Sequence, residues 1–220
     1  MKKLALKLIV AAVVFSATTI RGGQAEEALS GMGAACDALR CYTVTIATHE
    51  VKGSQTRDIT IDYSWNRTGW IKTVVVAGDN KGAVAVYDPG QNKIKVRWAG
   101  IALPVMLSPD SKSTQGLYGQ KIYDGTFPAI YKTAGWYKTH GTISWVGEET
   151  LDGVACAVID LKANAAGDNK GIARERWWLD KATSLPRKTE AFDANGVKVN
   201  STLYKNLKLN PQLSEDHFNL

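Results

Sequence analysis

The feature that most limits what this chain can become is an alternation of apolar and polar residues that recurs along its length. Tyr42, Val44, Ile46 and Thr48 interleave with Thr43, Thr45, Ala47 and His49. Ile59, Ile61, Tyr63 and Trp65 interleave with Asp58, Thr60, Asp62 and Ser64, and Ile94, Val96 and Trp98 with Lys93, Lys95 and Arg97. Successive strand residues point to opposite faces, so each run predicts a strand with one buried and one wet face, the habit of antiparallel sheets. Asp88-Pro89-Gly90-Gln91-Asn92 carries the Pro and Gly of a hairpin loop between strands at 83–87 and 93–98.

The second half follows the same grammar. Strands are predicted over 141–147, 154–161, 174–179, 186–192 and 197–207, with turns at 148–153, 180–184 and 193–196 and a polar loop at 164–169. About ten short strands at this spacing indicate a large curved antiparallel sheet, a barrel or a sandwich. Helix signals are few. One short helix is expected over 26–40. Another is expected over 126–138, with Pro128 in its first turn and Ile130, Ala134 and Tyr137 on one face. Ser214 starts a last turn that tucks Phe218 inward. No linker, internal repeat or low-complexity stretch divides the chain, so a single domain is expected.

Charge excludes one class of partner. The 220 residues carry a formal net charge of +6, but Lys2, Lys3, Lys7 and Arg21 all fall within the first 25, which hold no acid. Without those four, 23 basic residues face 21 acidic ones, too even a balance for nucleic acid. The basic start, the apolar run 8–15 and the small residues before Ala25 predict a signal peptide over 1–25, cleaved after Ala25. The apolar run is short for a membrane span of ~20 residues. A periplasmic domain over 26–220 is the expectation.

Chemistry is hard to find. There is no G-x-S-x-G elbow, H-E-x-x-H, P-loop or dinucleotide fingerprint, and His49, His140 and His217 are scattered singly. Neither catalytic residues, a metal nor a cofactor is expected. In an oxidising compartment Cys36 and Cys41 form a possible disulfide, with Cys156 a small buried hydrophobe. The run Ile101 to Leu107, interrupted by Pro104, breaks the alternation and reads as a loop over a sheet edge or as a hydrophobic flap over a cavity. Seven tryptophans, most on expected strands, exceed the needs of an ordinary core. A curved sheet with large apolar side chains on its concave face leaves a hollow, and a hollow without catalytic groups points to an apolar ligand.

A set of motifs then appears in a fixed order. Trp178-Leu179-Asp180-Lys181-Ala182-Thr183-Ser184-Leu185-Pro186 resembles the W-x-D-x-x-T-x-x-P element of the LolA-type outer-membrane lipoprotein-sorting superfamily. Asp193-Ala194-Asn195-Gly196, Tyr204-Lys205-Asn206, Asn210 and Phe218 are similar to its closing run. Val86-Tyr87-Asp88-Pro89 through Lys93, and Gly147 through Cys156, resemble two of its hairpins; together the matches cover roughly 80–218. The resemblance implies an α+β, mainly β fold: a curved antiparallel sheet forming an unclosed half-barrel, with a few short helices plugging the concave face. It also implies a non-enzymatic carrier or chaperone that holds a lipid or lipoprotein acyl chain. The alternative is an envelope sensor or docking module for a membrane protein on the same scaffold. A monomer is expected. The expected cavity lining is Ile46, Ile61, Tyr63, Val86, Val96, Trp98 and Trp178. Ile101, Leu103, Val105 and Leu107 would form a lid, and Ile130 and Tyr137 would sit on a plug helix.

Overall fold

The computed structural model describes residues 23–220, so residues 1–22 of the expected leader lie outside the described part. Helix α1 spans 23–38 and precedes β1 (Cys41–Lys52), β2 (Gln55–Asn66), β3 (Ile71–Gly78), β4 (Val84–Asp88), β5 (Lys93–Arg97) and β6 (Val105–Leu107). Helix α2 (Phe127–His140) leads into β7 (Gly141–Leu151), β8 (Val154–Ala163), β9 (Arg174–Asp180), β10 (Pro186–Phe192) and β11 (Lys198–Leu209). The strands form one antiparallel sheet of eleven in the order β6-β5-β4-β3-β2-β1-β11-β10-β9-β8-β7. Its two edges, β6 and β7, do not pair, so the half-barrel is unclosed.

The topology is two meanders stitched in the middle. The first runs outward from β1 to β6, and the second runs back from β7 to β11. The chain between β6 and β7 must therefore pass from one edge of the sheet to the other, and it does so across the concave face. That crossing carries residues 108–126 and then α2. Asn210 secures the seam, accepting from the backbone N–H of Arg40 at 2.7 Å and of Cys41 at 3.2 Å.

The helices cover the sheet as their periodicity requires. Ala25, Leu29, Met32 and Cys36 fall on one stripe of α1 and are buried against it. The last residues of the expected leader, 23–25, thus belong to the first turn of this helix. Thr126 caps α2, its hydroxyl accepting from Ala129 N at 3.2 Å, and Lys138 and His140 complement the dipole at the other end. An aromatic group joins helix to sheet: the ring of Tyr42 lies 4.6 Å from Phe127 and 5.3 Å from Trp65, and Phe127 lies 5.5 Å from Tyr204.

The turns follow the chemistry of their acidic residues. Asp88 Oδ1 accepts from Gly90 N at 2.8 Å, Asp180 Oδ1 from Ala182 N at 2.7 Å, and Asp193 Oδ1 from Asn195 N at 2.9 Å. Three expectations need correction. The hairpin at 148–153 is shorter, because β7 continues to Leu151 and only Asp152 and Gly153, both at positive φ, make the turn. Strand β3 and the short edge strand β6, which falls inside the expected loop or flap, are additions to the expected set. The end of the chain forms a 3-10 turn over Glu215–Phe218 on which Phe218 is only half-buried.

Candidate ligand cavity

The inward face of the strands converges on an open cavity of about 620 Å³. Its apolar wall alternates as the strands do. Ile46 on β1, Ile59, Ile61 and Tyr63 on β2, Val75 on β3 and Val96 on β5 point inward. From the other meander come Tyr204 on β11 and Trp177 on β9, and Ala129 and Ile130 of α2 close one side. The cross-strand pairs Ile46–Ile61, Ile61–Val75 and Ala85–Val96 keep these residues on one face.

A strap covers the cavity. Residues 113–125 of the β6–α2 crossing line it with Gln115, Tyr118 and Ile122 among others. The strap is tied to β1 and β2 at five points. Tyr63 Oη donates to Ile122 O at 3.0 Å, Tyr118 Oη to Val51 O at 2.9 Å, and Arg57 to Gln115 O at 2.9 Å. Lys52 Nζ donates to Leu117 O at 2.9 Å, and Leu117 N donates to Glu50 Oε2 at 3.2 Å. Glu50 is 4% exposed and also faces Asn200 Nδ2 at 3.5 Å. The cavity therefore has a polar end, built from Glu50, Arg57, Asn200 and Gln120, and an apolar body.

A second polar group lies in the wall. Glu175 is half-buried and accepts from Trp177 Nε1 at 2.9 Å and from Tyr137 Oη at 3.1 Å, while Asn169 Nδ2 donates to Tyr137 Oη at 2.8 Å. Desolvation pushes the Glu175 carboxyl above the ordinary glutamate value, and the donors from Trp177, Tyr137 and Asn169 only partly offset it. The cluster fixes the loop at Asn169 and helix α2 against β9.

The expected lining residues divide. Ile46, Ile61, Tyr63, Val96 and Trp98 lie around the cavity, with Ile130 of α2. Val86 and Trp178 lie elsewhere. Val86 pairs with Lys72 and Lys95 and so faces the convex side; Lys72 Nζ donates there to the C-terminal turn at His217 O, 2.8 Å away. Trp178 packs on the convex face with Cys156 and Val158, its Nε1 bonded to Glu149 Oε2 at 2.8 Å. Its neighbour Trp177 takes the inward position. Tyr137 is buried behind the cavity wall. None of Ile101, Leu103, Val105 and Leu107 borders the cavity; the covering segment is the strap that follows them.

Cys36, Cys41 and Cys156 are free thiols, so the expected Cys36–Cys41 disulfide is not formed. Cys36 lies in the core, where burial, with the Asp37 charge, pushes its thiol up to about 11. Cys41 Sγ instead points to Pro211 O at 3.3 Å. Among the described residues no group of three His, Cys, Asp or Glu side chains is placed to hold a metal. His49 Nδ1 meets Asp58 Oδ1 at 2.8 Å on the exposed face, with Ser201 opposite His49 across the β1–β11 pair. Among the described residues no hydrogen bond joins that serine to the imidazole. No described helix is long and apolar enough to cross a membrane.

The chain is similar to an uncharacterized conserved protein from Thermus thermophilus, at 10% identity over 89% of this chain and 93% of that one, with a TM-score of 0.55. It is also similar to the Mycobacterium tuberculosis lipoprotein LppX, at 14% identity over 85% and 96% of the two chains, with a TM-score of 0.50. A LolA superfamily protein from Nitrosomonas europaea aligns over 89% of this chain and 97% of that one, at 11% identity and a TM-score of 0.41. LolA superfamily proteins are among its structural neighbours. A family model described as an uncharacterized protein matches residues 134–213, well under half of the chain. No curated protein matches the sequence. The first two likenesses describe the fold alone.

Proposed function

We propose that this chain is an exported, non-enzymatic carrier that holds one acyl chain of a lipid or lipoprotein in the concave cavity. One observation carries the reading: an open hollow of about 620 Å³, walled by Ile46, Ile59, Ile61, Val75, Val96 and Trp177, lies under a strap. That volume sits within the ~300–1,000 Å³ typical of ligand sites. An apolar wall of this kind recognises hydrocarbon by burial alone. At ~0.8 kcal/mol per CH₂, a 16-carbon chain gains on the order of 12 kcal/mol before ordering costs. The polar end at Glu50, Arg57 and Asn200 suits the ester or headgroup end of such a ligand. Export through the 1–25 leader to the periplasm completes the reading, and N-terminal sequencing of the mature protein should then begin at Glu26.

Native mass spectrometry of protein taken from a bacterial periplasm tests the cargo, together with titration by a fluorescent fatty-acid analogue. Bound lipid and a saturable probe signal are expected. Ile61→Trp, which fills the cavity from β2, should weaken the probe about tenfold or more while leaving the circular dichroism unchanged. Probe binding that ignores this substitution ends the carrier reading. A stoichiometric protein partner recovered without lipid would assign the scaffold to docking instead.

A further inference from the structure

We propose that the segment 99–106 is a docking loop for a bilayer surface that carries anionic phospholipid. Ala99 to Met106 are eight consecutive residues held at the surface, and all but Gly100 are apolar. Leu103 is 78% exposed, and Ile101 and Met106 are each 51% exposed. Single exposed leucines are ordinary, but a contiguous apolar run held out into solvent marks an interaction site. The run is anchored at both ends. Ile101 N donates to Trp98 O at 3.1 Å, and Val105–Leu107 pairs with β5.

Charge identifies the surface. From Pro89 to Pro109 the chain contains no Asp or Glu, whereas Lys93, Lys95 and Arg97 stand exposed on β5. The register sets Met106 opposite Lys95, so apolar and cationic side chains share one face of this edge. Among the described residues none of the three cations makes an ion pair. Asp88, the register partner of Lys93, accepts with Oδ1 from the turn amides of Gly90 and Gln91. Apolar side chains that enter the interfacial layer beside cations that meet phosphate are the chemistry of an anionic membrane surface.

A peptide strand added to β6 fits less well. The free ladder is three residues long with Pro104 before it, and Ile101 and Leu103 lie in the loop, off the ladder. The placement also concerns the cavity. Trp98, from which the loop departs, lines it, so docking would set the β5 rim of the cavity against the membrane. The inference does not require cargo, because vesicle binding is measured without any.

Co-sedimentation of the protein as recovered from the periplasm with vesicles of phosphatidylglycerol and phosphatidylethanolamine, against vesicles of phosphatidylcholine alone, tests it. Binding to the anionic vesicles that weakens with added salt is expected, with little binding to phosphatidylcholine. Leu103→Asp should lower it about tenfold or more, since it removes a full apolar side chain from the interface. Lys95→Glu with Arg97→Glu should abolish the preference for anionic lipid, and Ile61→Trp should bind vesicles like the unaltered chain. Absent or equal binding to both vesicle types overturns the proposal, as does binding indifferent to Leu103→Asp. Concentration-dependent dimerisation without vesicles, abolished by Leu103→Asp, would give the patch to a second copy of the chain and overturn it too. Vesicle binding can fail while the fatty-acid probe still binds, so the two readings fall separately.

Discussion

The hydroxyl of Tyr137 and the carboxyl of Glu175 meet at 3.1 Å, joining helix α2 to strand β9 beside the cavity. Burial raises the Glu175 pKa in the folded chain, so the folded state binds the proton more tightly than the unfolded one. Stability should therefore fall as pH rises from the ordinary glutamate value through the raised one, and be lower beyond it. Glu175→Gln should flatten that slope in urea midpoints measured across the window. Glu175→Ala, which leaves Trp177 Nε1 and the Tyr137 hydroxyl without an acceptor, should cost about 1–3 kcal/mol.

Asp160 gives the opposite slope. On the convex face it accepts from Arg176 at 2.6 and 2.8 Å and from Arg174 at 3.1 Å. Burial alone would raise its carboxyl, but the two guanidinium groups outweigh that and hold it below the ordinary aspartate value. Its contribution is present above the unfolded pKa and is lost as pH falls through the folded one. Asp160→Asn should cost about 1–2 kcal/mol near neutrality, and the difference should vanish at strongly acidic pH.

At Gly116 the strap has room for a side chain only if the tips of Gln120 and Glu50 move aside. A Cβ there would lie 2.5 Å from Gln120 Oε1 and 2.9 Å from Glu50 Oε1. Gly116→Ala should displace the Glu50 contact and loosen the cover. Limited proteolysis should show faster cleavage within 113–125, with a global stability change of about 1 kcal/mol or less. Unchanged cleavage would mean that the Leu117–Glu50 bond does not hold the strap.

Two adjacent tryptophans should report on opposite faces. A brominated acyl chain in the cavity should quench emission from Trp98 and Trp177, which line it, and leave Trp178 bright. Trp178→Phe should therefore remove unquenched signal, and Trp177→Phe quenched signal. The reverse result would place the ligand on the convex side.

How much of this was legible beforehand depended on whether both faces of a strand differ. In β1 and β2 the inward residues Ile46, Ile61 and Tyr63 alternate with Thr45, Thr60 and Asp62, and the sequence announces the face directly. In β3 the run Val74-Val75-Val76 is apolar on both sides and erases the alternation, so the sequence marks no strand face there. The Trp177–Trp178 step fails for the same reason. Its partner β8 is apolar on both faces, with Ile159 turned to the core and Val158 to the smaller convex cluster. The turns were legible because Asp88, Asp180 and Asp193 act on amides two residues away. The strap was not, because its ties to Glu50, Val51 and Arg57 bridge about sixty residues of sequence. Nothing in Gln115-Gly116-Leu117-Tyr118 announces where it will lie.

The stitching of β1 to β11 also bears on how the molecule assembles. Each wing is a series of neighbouring hairpins that can zip up locally, whereas the central join links residues some 160 positions apart, such as Thr45 and Lys205. Closing that join should be the late event of folding. A break in the chain between 108 and 126 would leave two pieces that share one core, and whether they reassemble would rest on the β1–β11 ladder and the packing beneath it.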